Sequence, residues 1–101
     1  MSDFQIENGV LVAYKGQGGT VTVPDTIASI GENAFRECQS LTSVTLPNSV
    51  TSIGVYAFAS CYSLISVTLP DSLTFIGDFA FHDCQRLTNV MLPRQRSITA
   101  S

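Results

Sequence analysis

A chain of 101 residues makes one compact unit or a short stretch of a repeating array. Its 45% hydrophobic content supplies a core and its 13% charged content a weakly charged surface, while a net charge of -3 excludes a nucleic-acid-binding domain, which needs clustered Lys and Arg against phosphate. No run approaches the roughly 18 consecutive apolar residues of a membrane span, so no membrane insertion is expected.

Taken from the start, Met1-Ser2-Asp3 offers neither the basic nor the apolar region of a signal peptide. Phe4 to Glu7, then Asn8-Gly9, then Val10 to Tyr14 reads as a β-hairpin with a type I′ turn at Asn8-Gly9. Lys15-Gly16-Gln17-Gly18-Gly19 follows as a flexible loop. It lacks the Lys-Ser/Thr pair of a phosphate-binding loop and leads into a strand rather than a helix, so it is read as a linker. Thr20 to Pro24 is the first strand in phase with what comes next.

Pro24, Pro47, Pro70 and Pro93 stand 23 residues apart. Around them runs I-G-x-x-A-F-x-x-C-x-x-L-x-x-V-x-L-P, in Ile30–Pro47, Ile53–Pro70 and Ile76–Pro93, with Met91 a conservative change inside the third. A period in the twenties with an L-x-x-V-x-L core is the signature of a leucine-rich repeat solenoid, an α/β repeat fold. In one coil, Leu41, Val44 and Leu46 alternate with Thr42, Ser43 and Thr45, which predicts a strand with Val44 and Leu46 inward. Pro47 stops the ladder, Asn48-Ser49 turns the chain, and a second extended stretch places Val50 and Ile53 inward. Gly31, Gly54 and Gly77 mark a bend that needs either a positive φ or close backbone approach. Ala57, Phe58, Cys61 and Leu64 then fall on one face of a short helical turn, as do their equivalents in the other coils. One coil alone cannot bury that face. Stacked coils can, Phe on Phe, at about 4.8 Å per coil.

The organisation expected is therefore a hairpin cap and Gly-rich loop over residues 1–19, a solenoid over 20–93 and a tail outside the repeat over 94–101. After Pro93 the lattice calls for apolar residues where the chain has Arg96 and Thr99, so the last coil is expected to leave an apolar edge uncovered.

With these motifs laid out, the chain resembles the BspA-like leucine-rich repeat family, on the I-G-x-x-A-F-x-x-C and V-x-L-P elements and on Ile6-Glu7-Asn8-Gly9-Val10-Leu11 with Tyr14 and Gly16. The resemblance covers residues 4–93. It implies a curved right-handed solenoid with a parallel strand ladder on the concave side and short helical turns outside. It also implies bacterial (or parasite) surface proteins used for adhesion and protein contacts. Thr26, Ser49 and Ser72 stand near the place of the usual Asn ladder, a departure from ordinary leucine-rich repeats.

Since the concave face of such solenoids commonly holds the partner, the default partner-binding surface is the outward row Thr20, Thr22, Ser43, Thr45, Ser66, Thr68, Asn89 and Met91. Ser and Thr are also plain good strand-surface residues, and the row has no aromatic or Arg anchor. A second candidate is aromatic: Tyr56 and Phe79 are equivalent positions in adjacent coils, with Tyr62 and Phe75 on other outward positions. The third is a self-association edge formed by Leu87, Val90 and Leu92.

No cofactor or metal is expected. Cys38, Cys61 and Cys84 form a ladder rather than a C-x-x-C cluster and read as buried free thiols. The sole histidine, His82, has Asp78 and Asp83 near it in sequence but no nucleophile converging on it, and reads as solvated. The sequence reading is thus a non-catalytic protein-interaction module with a protein partner. Its alternative is a structural repeat that forms a homo-oligomer through its last coil.

Overall fold

The structure, a computed structural model, describes residues 3–91. Leu92, the repeat proline Pro93 and the tail with Arg94 and Arg96 lie outside the described residues. Among the described residues nine strands form: β1 (Phe4–Glu7), β2 (Val10–Tyr14), β3 (Gly19–Thr22), β4 (Ser29–Ile30), β5 (Leu41–Thr45), β6 (Ser52–Ile53), β7 (Ser66–Thr68), β8 (Phe75–Ile76) and β9 (Asn89–Met91). They make two ladders, one ordered β3-β5-β7-β9 and one ordered β1-β2-β4-β6-β8. Apart from the β1–β2 hairpin, every pairing is parallel. Ser43 pairs with Ser66 and Ser66 with Asn89, while Ser29 pairs with Ser52 and Ser52 with Phe75. The 23-residue period read in the sequence is thus the pairing register itself.

The N-terminal hairpin forms, β1 pairing antiparallel with β2. Asn8 and Gly9 both take positive φ, 53° and 78°, as a type I′ turn demands. The second hairpin strand does more than cover the first coil. It joins the ladder, with Val10 opposite Ser29 and Leu11 opposite Ile30, so β2 acts as an additional rung. The loop at Gly16 to Gly19 is not the free linker its composition suggests. Lys15 N–H donates to the Asp3 carbonyl at 2.7 Å, Gly18 N–H to the Tyr14 hydroxyl at 3.1 Å and Gly19 N–H to the Ser40 carbonyl at 2.8 Å.

One expectation fails: no helix forms among the described residues. Ala57, Phe58, Cys61 and Leu64 are buried as their spacing predicts. The chain that buries them is a run of β-turns instead. Ala57, Ala59 and Leu64 N–H groups donate three residues back, to Gly54, Tyr56 and Cys61. The intervening amides of Tyr56, Phe58 and Ser60 point along the solenoid and donate to the carbonyls of Asp78, Ala80 and His82 in the next coil. An α-helix would turn those amides onto its own carbonyls and abolish the contacts between coils. Alternation is made by left-handed residues at a fixed phase: Asn33 and Glu37, Tyr56 and Ser60, Phe79 and Asp83, all with φ between 58° and 61°.

Phe35, Phe58 and Phe81 stack face to face through the core, with centroids 4.8 and 5.2 Å apart and planes within 7°. Tyr14 from the hairpin caps this column, 5.1 Å from Phe35, and Phe4 packs on Tyr14 in turn. Gly31, Gly54 and Gly77 carry no positive φ, so close approach is what they provide. A Cβ on Gly54 would stand 2.8 Å from the Glu32 nitrogen and 2.9 Å from the Gly31 carbonyl carbon.

The thiol ladder also links coils. Cys61 Sγ–H donates to the Phe35 carbonyl and Cys84 Sγ–H to the Phe58 carbonyl, both at 3.0 Å. All three cysteines are free, Cys61 fully buried and the others half-buried. Hydrogen bonding with Cys84, and then burial, push the Cys61 thiol well above its ordinary range. The folded state therefore retains a proton that the unfolded chain releases above about pH 8.5. That contribution is fully present below this pH and is lost as pH rises. The same contact lowers the Cys84 thiol, whose contribution runs the other way, so the urea midpoint should fall only above the ordinary thiol range, between about pH 9 and pH 10, and Cys61→Ala should flatten that fall.

Candidate functional site

The structure separates the three candidate surfaces. On the outer side of β3-β5-β7-β9, Thr20, Thr22, Thr68 and Asn89 are exposed, while Ser43, Thr45 and Ser66 are half-buried. Ser66 donates to the Ser43 hydroxyl at 3.1 Å, so part of this face is spent on itself. Met91 holds the position after Val90 in β9, opposite Thr68.

The aromatic group is divided. Tyr56 and Phe79 stack with centroids 5.4 Å apart and planes 18° from parallel. Tyr62 and Phe75 are both exposed, but neither ring meets that stack; Phe75 belongs to β8, in the other ladder. Two residues that the sequence reading left out complete the row. The Arg36 guanidinium lies over the Tyr56 ring, 4.8 Å from its centroid. Asn33, which holds the row position in the first coil, accepts from Arg36 Nη1 at 3.3 Å and fixes it there. His82 stands edge-on to Phe79 at 5.5 Å and to Tyr56 at 6.5 Å. The signal for these two was available in the 23-residue lattice, which aligns Asn33 with Tyr56 and Phe79, and Arg36 with His82.

The row is built in an unusual conformation. Phe79 is 53% exposed and has φ 58°, a region that costs a bulky L-residue about 1–2 kcal/mol. Its stacking on Tyr56 returns about 0.5–1.5 kcal/mol. The two nearly cancel. Phe79→Asn, which copies Asn33, should therefore leave the urea midpoint within about 1 kcal/mol of the parent.

At the last described coil, Phe79, Phe81 and Asp83 occupy the positions whose amides donate to the following coil in the earlier turns. Among the described residues these three amides have no acceptor. Nearby, Val90 is 42% exposed and Leu87 is half-buried; Leu92, the third residue expected on this edge, lies outside the described residues.

Elsewhere the chemistry is sparse. His82 meets Asp83 at 3.5 Å as a solvent-exposed pair of sequence neighbours. Among the described residues no His, Cys, Asp and Glu side chains converge as metal ligands, and no helix is long and apolar enough to cross a membrane. An open groove of about 610 Å³ runs between the Gly16–Gly18 loop and the turn at Arg36 to Leu41.

Two parallel ladders with stacked turns and an aromatic core column define a leucine-rich repeat scaffold, a class that generally serves as a non-enzymatic frame for interactions. Residues 13–101 match the BspA type leucine rich repeat region, in six copies, and the chain belongs to that family. No curated protein matches it. Among solved structures it is similar to a T. pallidum leucine-rich repeat protein, with 34% identity and a TM-score of 0.85 over 91% of this chain and 48% of that one. It is similar also to a leucine rich cell surface protein of Faecalibacterium prausnitzii, with 31% identity and a TM-score of 0.78 over 96% of this chain and 30% of the other. The pneumococcal vaccine antigen PcpA shares the fold, at 24% identity and a TM-score of 0.78, over 96% of this chain and 28% of that one. The chain thus spans less than half the length of each.

Proposed function

We propose that the protein is a non-catalytic interaction module that binds a protein partner, in the manner of a bacterial surface adhesion repeat, and that the partner docks on the turn-side row of Tyr56 and Phe79. The observation that carries this reading is the row itself: Tyr56 and Phe79 stack outside the core cluster, with the Arg36 guanidinium over the Tyr56 ring. The left-handed φ recurs at this phase in every coil and belongs to the turn; the aromatic and guanidinium groups placed outside the core are what favour a contact site. The likeness to a cell surface protein supports the adhesion setting.

The test is selection of binding peptides from a random displayed library, followed by Phe79→Asn and by Thr45→Glu with Thr68→Glu. Docking on the row predicts that Phe79→Asn weakens the selected binders by at least about tenfold while the Glu pair leaves them intact. The reverse pattern would move the site to the Ser/Thr face, and no enrichment at all would count against a peptide-binding module. A second reading is self-association through the last coil. Light scattering across a wide concentration range decides it: a concentration-dependent dimer supports that reading and a strict monomer removes it.

A further inference from the structure

We infer that the stacked thiols of Cys61 and Cys84 bind one copper(I) ion in line between them, as a linear two-sulfur site. The site is separate from the docking row, since Cys61 belongs to the core cluster and Cys84 packs against it.

Spacing is what specifies it. Cys61 and Cys84 hold the same place in consecutive coils: each Sγ lies 3.0 Å from the carbonyl oxygen of the phenylalanine one coil back, Phe35 and Phe58 respectively. Two atoms so placed are one coil step apart. The rings beside them measure that step, 4.8 Å from Phe35 to Phe58 and 5.2 Å from Phe58 to Phe81. Phe58 N–H to Ala80 and Ser60 N–H to His82, each at 2.7 Å, hold the two coils at it. A disulfide needs its sulfurs at about 2 Å and its Cβ atoms at about 3.8 Å. Two metal–sulfur bonds of about 2.3 Å in line span about 4.6 Å. The ladder is thus too wide for an S–S bond and close to the width of S–metal–S. Of the three cysteines, Cys61 and Cys84 are the two whose side chains touch; each shifts the other's acidity, whereas Cys38 is moved by burial alone.

The ligand set selects the ion. Among the described residues no three His, Cys, Asp or Glu side chains come together, so zinc and the harder divalent ions, which want four or more ligands, find no site. Thiolates favour copper(I), and two of them in line complete its coordination. Binding exchanges protons for metal: each S–H proton leaves to solvent, each sulfur donates an electron pair to the ion, and nothing is oxidised. The product carries one negative charge over two sulfurs. Backbone amides offset it, the Cys38 N–H against the Cys61 sulfur and the Cys61 N–H against the Cys84 sulfur. The Phe35 carbonyl, on losing its thiol donor, still accepts from Cys38 N–H at 3.2 Å.

The experiment titrates the whole chain, reduced and free of oxygen, with the copper(I)–bicinchoninate complex, whose colour fades as the protein takes the ion. One ion per chain is expected, with X-ray absorption showing two sulfur neighbours and no nitrogen or oxygen. Cys84→Ser should weaken capture at least about hundredfold, while Cys38→Ser changes it less than about threefold. Cys84→Ala is the second variant should serine unfold the chain. Unfolded thiols also bind copper(I), so stability separates the two cases: the ion should raise the urea midpoint of the parent and not that of the Cys84 variants. Equal loss on Cys38→Ser overturns the proposal, as does a third ligand in the absorption spectrum or a dependence on His82→Ala. A Cys61–Cys84 disulfide formed in full by a mild oxidant such as diamide overturns it too, because the coils would then close further than the ladder spacing allows. So does an ion held only in a dimer, with one thiol from each copy.

Discussion

Phe58→Ala is expected to destabilise the protein by about 3–5 kcal/mol, the largest loss of any single truncation in the core. Phe58 is fully buried and is the middle ring of the column, with one face on Phe35 and the other on Phe81. Truncation removes both stacking contacts and leaves a space that coils tied together by hydrogen bonds on either side cannot close. A domain of this size has about 5–15 kcal/mol of net stability, so the variant would stand at the margin of folding. Urea denaturation followed by circular dichroism measures it. The same truncation at Phe81, half-buried at the end of the column, should cost clearly less. A loss below about 1.5 kcal/mol at Phe58 would mean that the column is ornamental to the fold.

Gly54→Ala comes second, at about 3 kcal/mol, the upper part of the range for overpacking. The new methyl would meet backbone, not a side chain that can swing aside: the Glu32 nitrogen at 2.8 Å, the Gly31 carbon at 2.9 Å and the Ile30 carbonyl oxygen at 3.0 Å. The coils cannot part easily, because Gly54 N–H donates to Ile30 and Gly77 N–H to Ile53, each at 2.7 Å. Gly9→Ala is the control. Its Cβ would find nothing nearer than 3.8 Å, so only the positive φ resists it, at about 1 kcal/mol. If both substitutions cost the same, spacing between coils is not what Gly54 protects.

Most of the fold was legible because one period writes both the packing and the register. Leu41, Val44 and Leu46 announce a strand by alternation, and the 23-residue lattice announces which strand lies beside it. The turn was misread for a physical reason. Ala57, Phe58, Cys61 and Leu64 satisfy helical spacing, and burial alone does not distinguish a helix from successive turns that present the same residues inward. What decides between them is where the amides of Tyr56, Phe58 and Ser60 go, and that depends on a neighbouring coil with no signature in the local spacing. Tyr56 and Phe79 were legible as equivalent positions. Their left-handed backbone was not, since aromatic residues are poor candidates for positive φ. Arg36 and His82 joined the row only once the turn placed them beside its rings.

The alternating amides carry a consequence for force. Hydrogen bonds between coils run along the solenoid axis, from Asn33 to Val55, from Phe35 to Ala57 and from Phe58 to Ala80. A pull that separates the two ends of the stack loads these bonds as a zipper, one coil at a time, rather than in concert. Each coil that lets go releases 23 residues of chain, or about 80 Å of reach at 3.3–3.6 Å per residue. A tethered protein built this way lengthens in steps under load, and lets a bound partner drift tens of ångströms before the contact itself is strained.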